Sequence, residues 1–178
     1  MKIALIAFIG FALWPLLEYL IHRFLGHELR LPTLFKKEHS LHHSTGDYFA
    51  PGIKKTFAAI PVTAILFGFS YLLVGLYGAI AFSASFMTSY LMYEYFHKDF
   101  HVTAPKTKMG AILRKHHFAH HFNNPKLNHG VTTRLFDRVF GTFQEYELVK
   151  VPRKNAMIWL LDETGNVKPQ YASDYKLR

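Results

Sequence analysis

Residues 56–96 form one apolar block that contains no Lys, Arg or Asp and a single Glu, Glu94. Its length is about twice one bilayer crossing. A soluble helical hairpin needs charged or polar residues along its outer faces, and this block does not supply them. Gly75 and Gly78 interrupt its middle, so the sequence predicts two membrane helices, roughly Phe57–Val74 and Tyr77–Phe96, joined by a short turn.

A second apolar run, Ile3 to Ile21, is broken only by Pro15 and Glu18. As a helix it would extend about 28 Å, enough for a bilayer core. Lys2 followed by an apolar run also describes a signal peptide. No small-residue cleavage site follows, however, and the run leads straight into a histidine motif, so a retained helix is expected. Basic residues set the orientation. The 74–80 turn has none, the segment 23–55 has six, and fourteen follow His97. The positive-inside rule places the two basic segments in the cytoplasm and the turn outside. The expected fold is all-α: an integral membrane protein of about three transmembrane helices, or two with a re-entrant first helix, under a cytosolic helical cap. The 178 residues suit a single domain, 1–178. In its tail, Ala156–Leu161 and Asp162–Val167 are expected to pair as a short hairpin around Gly165.

The chain has no cysteine, which excludes disulfides, thiolate metal sites and thiol nucleophiles. Its net charge of +9 suits an anionic partner. No zinc finger, helix-turn-helix or aromatic nucleic-acid platform is present, and the basic residues flank apolar runs, so a membrane surface is expected and nucleic acid is not.

Twelve histidines are far more than chance supplies, and ten fall into four tight groups. His22 and His27 are five residues apart, rotated about 140° on a continuous α-helix. Gly26 offers a place for the helix to end or bend before His27. His39, His42 and His43 follow the spacing i, i+3, i+4, which lets all three rings face a common centre. His97 and His101 form an i, i+4 pair. His117, His120 and His121 repeat the spacing of the second group. A single such pair is usually a polar helix face. Four groups gathered on one side of apolar helices point instead to metal. Ten imidazoles exceed the ligand capacity of one ion, so two metals are expected. Imidazole alone does not name the element, since zinc, copper, iron and nickel all accept it. Glu18 and Glu94 share helix faces with His22 and His97, as carboxylates that orient ligand rings or as interface charges. His116 competes with His117 for the site, and the repeated spacing favours His117. His129 is expected to be a loop or outer-layer residue.

These residues resemble the fatty acid hydroxylase and sterol desaturase superfamily. The run from Glu18 to Phe24 is similar to that family's entry into its first histidine box, and the later groups follow in the family's order. Asn128-His129-Gly130-Val131-Thr132, then Asp137, then Phe140-Gly141-Thr142 resembles its closing motif, with His129 where an aromatic residue is usual. The likeness covers roughly residues 14–145, leaving 146–178 as a cytosolic tail. It implies a membrane enzyme with a di-iron centre, ligated by His22, His27, His39, His42, His43, His97, His101, His117, His120 and His121, with His116, His129, Glu18 and Glu94 as additional or outer-layer residues. The expected cofactor is two iron ions, with zinc as a substitute after purification. The expected reaction is O2-dependent hydroxylation of a lipid, closest to the fatty acyl 2-hydroxylase branch. Sterol or carotenoid hydroxylation or desaturation is the alternative within the superfamily.

Two other classes fit less well. A metal transporter should carry polar residues inside its spans, whereas these histidines sit at helix ends. A zinc hydrolase usually carries a Glu inside its histidine box, and none of these boxes has one. No haem, flavin or nicotinamide motif is present, so an external electron donor of ferredoxin or cytochrome type is expected as partner, beside the lipid substrate and the membrane. Lys106, Lys108, Arg114 and Lys115 form a basic stretch suited to docking it, or to lipid headgroups.

Overall fold

A computed structural model describes residues 2–178. It contains α1 (Lys2–Leu20), a π-helical turn (Ile21–Glu28), α2 (Leu34–Thr45), α3 (Gly52–Val102), α4 (Lys108–Phe122) and α5 (Leu135–Val139). Two short strands follow, β1 (Val149–Val151) and β2 (Tyr175–Leu177). The residues gather into two compact units. One comprises the chain up to Leu17 with Ala50–Tyr95, the other Glu18–Phe49 with Phe96–Arg178.

In the first unit, α3 is helical on both sides of Gly75 but not at it, where φ is 71° and ψ is −177°. Only glycine adopts that conformation readily, so the break falls at one of the two glycines that the sequence marks. Thr63 and Met87 lie equally far from Gly75 along the chain, and the Thr63 hydroxyl meets the Met87 sulfur at 2.9 Å. Lys55 pairs with Glu94 in the same sense. The two limbs therefore fold back as an antiparallel hairpin. Gly78 lies within the second limb rather than in the turn. A Cβ at Gly10 would lie 2.3 Å from the Phe82 carbonyl oxygen, so α1 crosses the second limb at backbone contact. Trp14 then packs edge-on against Phe86 and Tyr90 at 5.7 and 4.8 Å.

The outer surface of this unit is apolar. Leu72 is 81% exposed and Phe57 73%. Helices Lys2–Glu28 and Gly52–Val102 are long and apolar enough to cross a membrane. The core helix of a soluble protein would bury such side chains, and these do not.

The second unit carries the polar segments. Thr33 and Thr107 cap α2 and α4, their hydroxyls accepting from the amides of Lys36 and Gly110 at 3.1 and 3.0 Å. Gly46, at φ 72°, closes α2. β1 and β2 pair in parallel, a departure from the all-helical expectation. Asn123 at the end of α4 holds β1 by accepting from the Lys150 amide and donating to the Leu148 carbonyl, both at 3.0 Å. Phe118, Val149, Val151, Leu160 and Tyr175 form the core beneath α4, and the Trp159 indole donates to the Phe100 carbonyl at 3.1 Å. The expected hairpin in the tail is reduced to one antiparallel bridge, Leu161 with Val167, around Gly165 at φ 77°. Its first arm is a 3-10 turn, Ile158–Leu160, because Trp159 and Leu160 turn into the core instead of alternating along a strand.

Candidate metal centre

His22 and His27 both lie in the π-helical turn. Hydrogen bonds in a π-helix reach from i to i+5 and so bring residues five apart toward one face. The two rings stand 5.3 Å apart. Of the two outcomes the sequence offered at Gly26, an end or a bend, the helix does not take the end: it runs on to Glu28. It widens at Gly26 instead. A Cβ on Gly26 would lie 3.0 Å from the His39 ring, so the missing side chain makes room for a neighbouring imidazole.

Ten histidines converge in two groups of five, His22, His27, His39, His43 and His120 in one, His42, His97, His101, His117 and His121 in the other. Within each group the facing nitrogens lie within 4.8 Å of one another. These are the ten residues expected as ligands, but each triplet is divided. α2 sends His39 and His43 to the first group and His42 to the second. α4 sends His117 and His121 to the second group and His120 to the first. On a helix, residues i and i+4 point about 40° apart, while i+3 and i+4 diverge by about 100°. A triplet at this spacing therefore serves two neighbouring centres better than one common centre.

The rings have a four-plus-one arrangement. In the first group His22 and His43 stand across from each other at 6.4 Å, as do His39 and His120. His27 caps all four at 4.7 to 5.3 Å. In the second, His101 caps His42, His97, His117 and His121 at 4.7 to 5.5 Å. The groups meet where His43 stacks on His121 at 4.0 Å.

The outer nitrogens show that these clusters suit cations. Nδ1–H of His22 donates to the His129 carbonyl at 2.5 Å, that of His120 to Leu127 at 2.7 Å, and that of His42 to Tyr48 at 2.7 Å. A neutral imidazole that donates from Nδ1 carries a lone pair on Nε2. Those lone pairs face inward, and Nε2 atoms approach at 2.8 to 3.2 Å across His39–His27, His27–His120 and His120–His43. Burial, followed by the neighbouring imidazoles, holds His39, His117, His120 and His121 well below the ordinary histidine value and pushes His43 down to about 2. Neutral, inward-facing and crowded, the rings fit metal ions of the kind that accept imidazole.

The segment after α4 supports the first group. Asn128, in a left-handed conformation at φ 60°, exchanges hydrogen bonds with Gln144 at 2.8 Å in both directions. Glu18 accepts from the Val131 amide at 2.5 Å and from the Thr132 hydroxyl at 2.6 Å. Its carboxylate thus holds this loop, neither orienting the His22 ring nor standing as a free interface charge, the two roles the sequence left open. Glu94 is likewise engaged by Lys55. His116 turns away from both groups, and its Nε2 donates to Asp137 at 2.9 Å. His129 is fully buried, with its ring 5.3 to 5.7 Å from those of His120, His22 and His27, yet it belongs to neither group. Burial alone would push the Asp137 carboxyl up, but the His116 and His129 rings and the Gly130 amide hold it well below the usual carboxylate range. Sequence reasoning missed Asp137 as a functional residue, although its place in the closing motif was a signal.

The basic stretch leading into α4 is smaller than expected. Arg114 is buried and bonded to Asp99 at 2.5 Å, and Lys115 reaches Asp174 at 2.5 Å. Lys106 and Lys108 are exposed.

The family model described as fatty acid hydroxylase matches residues 7–142. The chain is 31% identical over 148 residues to dihydroceramide fatty acyl 2-hydroxylase FAH2 of Arabidopsis thaliana, covering 79% of this chain and 61% of that protein. It is 32% identical to fatty acid 2-hydroxylase of Homo sapiens, covering 75% of this chain and 38% of the relative. Among solved structures, full-length scs7p, in which only the hydroxylase domain is visible, aligns with a TM-score of 0.65 at 26% identity, covering 80% of this chain and 56% of that one. The chain thus spans less than two thirds of the length of each of these proteins.

Proposed function

Because the chain belongs to the fatty acid hydroxylase family, we propose that it hydroxylates a fatty acyl chain, at carbon 2, with a di-iron centre held by the ten clustered histidines. The observation that carries this reading is the convergence of two five-histidine groups, in which three rings are fixed with an inward Nε2 lone pair. No side chain here has the oxidising power to break an unactivated C–H bond; two iron ions, with O2, would supply it. The overall change inserts one oxygen atom into the C–H bond and reduces the other to water, consuming two electrons and two protons.

The chain's own residues hold and orient. His22, His27, His39, His43 and His120 would take one ion, and His42, His97, His101, His117 and His121 the other. The carbonyls of Leu127, His129 and Tyr48 fix three of these rings by accepting their Nδ1–H groups, which keeps Nε2 available. Burial of the rings keeps bulk water from competing for the same positions.

Membrane integration is part of this proposal. α1 and the two limbs of α3 would make three crossings, with every histidine group on the cytoplasmic side, a placement that the distribution of basic residues supports. An acyl chain would then arrive from the bilayer and a soluble or membrane-tethered electron donor from the cytoplasm. Lys106 and Lys108 remain exposed to meet an acidic donor.

Reconstitution with iron, O2, a ferredoxin- or cytochrome-type donor and an acyl lipid tests the proposal, with the product's hydroxyl located by mass spectrometry. A 2-hydroxyacyl product that requires both O2 and the donor is the expected result. Product formed under strict anaerobiosis, or without any reductant, would overturn it.

A further inference from the structure

Asp137 lies outside both histidine groups and is 0% exposed. Its two carboxylate oxygens accept four hydrogen bonds. Oδ1 takes the His129 amide and the Thr142 hydroxyl, both at 2.8 Å. Oδ2 takes the Gly130 amide at 2.8 Å and His116 Nε2 at 2.9 Å. That number fills the acceptor capacity of an ionised carboxylate. The loop it gathers is tight. A Cβ at Gly130 would lie 2.1 Å from the Thr133 carbonyl oxygen and 3.0 Å from Asp137 Oδ2. The amides of Thr142 and Phe143 also return to the Asp137 carbonyl, at 2.8 and 3.0 Å. One residue therefore ties both ends of the segment 129–143.

The two backbone carbonyls at the start of this loop that bond ligand rings serve one group. The His129 carbonyl accepts from His22 and the Leu127 carbonyl from His120, and both rings belong to the first group. In the second group the corresponding bond runs from His42 to the Tyr48 carbonyl, and the Tyr48 hydroxyl donates to Glu38 at 2.5 Å. That support does not involve Asp137.

We propose that Asp137 is a positioning residue for the first metal alone, touching neither metal nor substrate. It bonds the amides on both sides of the His129 carbonyl that fixes His22. It also holds Thr142, whose carbonyl accepts from the Asn128 amide beside the Leu127 carbonyl that fixes His120. This rests on the two-metal reading given above. Loss of an outer partner of a metal-bound histidine typically weakens metal binding about 10- to 100-fold. Neutralising Asp137 should therefore loosen one ion and leave the other as it was.

The experiment compares wild type with Asp137→Asn, both full chains loaded with iron in detergent micelles. It measures metal equivalents by elemental analysis and their release to a competing chelator. Wild type should hold two slowly released equivalents. Asp137→Asn should release one of them about tenfold or more faster and the other at the wild-type rate. Adding His120→Ala to Asp137→Asn should abolish the fast-released equivalent and spare the slow one, which identifies the first group. Equal acceleration of both equivalents, or of neither, would overturn the proposal. Thr142→Val keeps the carboxylate and removes one donor, so it should accelerate the same single equivalent to a smaller degree. It decides the matter if Asp137→Asn does not fold. A wild-type protein that binds no metal would instead remove the two-metal reading itself.

Discussion

His42 and His120 hold the same rank in their triplets, each the ring at i+3 that leaves its helix neighbours for the other group. They also make the same outer bond, from Nδ1 to a loop carbonyl. The proposed metal centre gives a specific expectation for each. His120→Ala should lower iron to about one equivalent by emptying the first group, and His42→Ala should do so by emptying the second. Hydroxylation should fall further in both than the roughly 100-fold that loss of an outer partner costs. Elemental analysis with a turnover assay checks both parts, and loss of both ions from either variant would count against two separable groups. His129 is a different case. Its backbone amide and carbonyl do the bonding, while neither ring nitrogen has a hydrogen-bond partner. Its Nδ1 stands 3.8 Å from Asp137 Oδ1 without a hydrogen bond, so His129→Phe should keep both iron equivalents with little change in thermal stability. Iron loss as complete as in His120→Ala would show that the ring itself binds metal.

At the scale of elements, the break in α3 is the feature most open to test. Gly75 has no neighbour within 4 Å to resist a side chain, so the cost of Gly75→Ala is purely conformational. A residue forced into that glycine region pays about 1–3 kcal/mol. Unfolding titrations in mixed micelles should show a loss of that size, and no loss would mean that the limbs do not turn at this residue. The hairpin was legible because the apolar block is about twice one bilayer crossing and has a glycine near its middle, although Gly78 beside it lies within the second limb. The ten converging histidines were legible because a polar, titratable ring grouped four times at helical spacing has no role in packing a core. The winding of the Ile21–Glu28 turn was not, since a five-residue gap reads as two faces on an α-helix and nothing local announces a π-turn. The pairing of β1 with β2 was hidden as well. Strands of three residues carry too little alternation to stand out, and their partners are remote in sequence. Arg114 and Lys115 looked free for the same reason, because Asp99 and Asp174 reach them only through the fold.

For the whole molecule, the clustered imidazoles tie stability to pH once metal is removed. His39, His43, His117, His120 and His121 are held below the ordinary histidine value in the folded chain. Between that lowered value and about 6.5, the unfolded chain binds protons that the folded chain does not, so stability rises with pH across this window. Metal-stripped protein should therefore melt at progressively lower temperature as pH is taken from about 7 toward 5, losing about 1 kcal/mol per titrating ring for each pH unit. A melting temperature that is flat over that range would show the rings to be solvated. The proposed topology has its own check. Single cysteines at Ser44 and Lys126 should react with a membrane-impermeant reagent from the cytoplasmic side and one at Leu76 from the other, and cytoplasmic labelling at Leu76 would overturn the arrangement of spans.

The division of both triplets has one more consequence. α2 and α4 each carry ligands for both groups, two for one and one for the other. Removing a single ring is a local injury, but turning either helix about its axis displaces rings in both groups at once. The two centres are in this sense geared together. A rotation that moved the nitrogens of one nest would move those of its neighbour as well, so neither is set by its own helix alone. A histidine box, read along the chain as one unit, is in space a shared axle, and what selection can adjust independently is the loop behind each nest rather than the helix that supplies it.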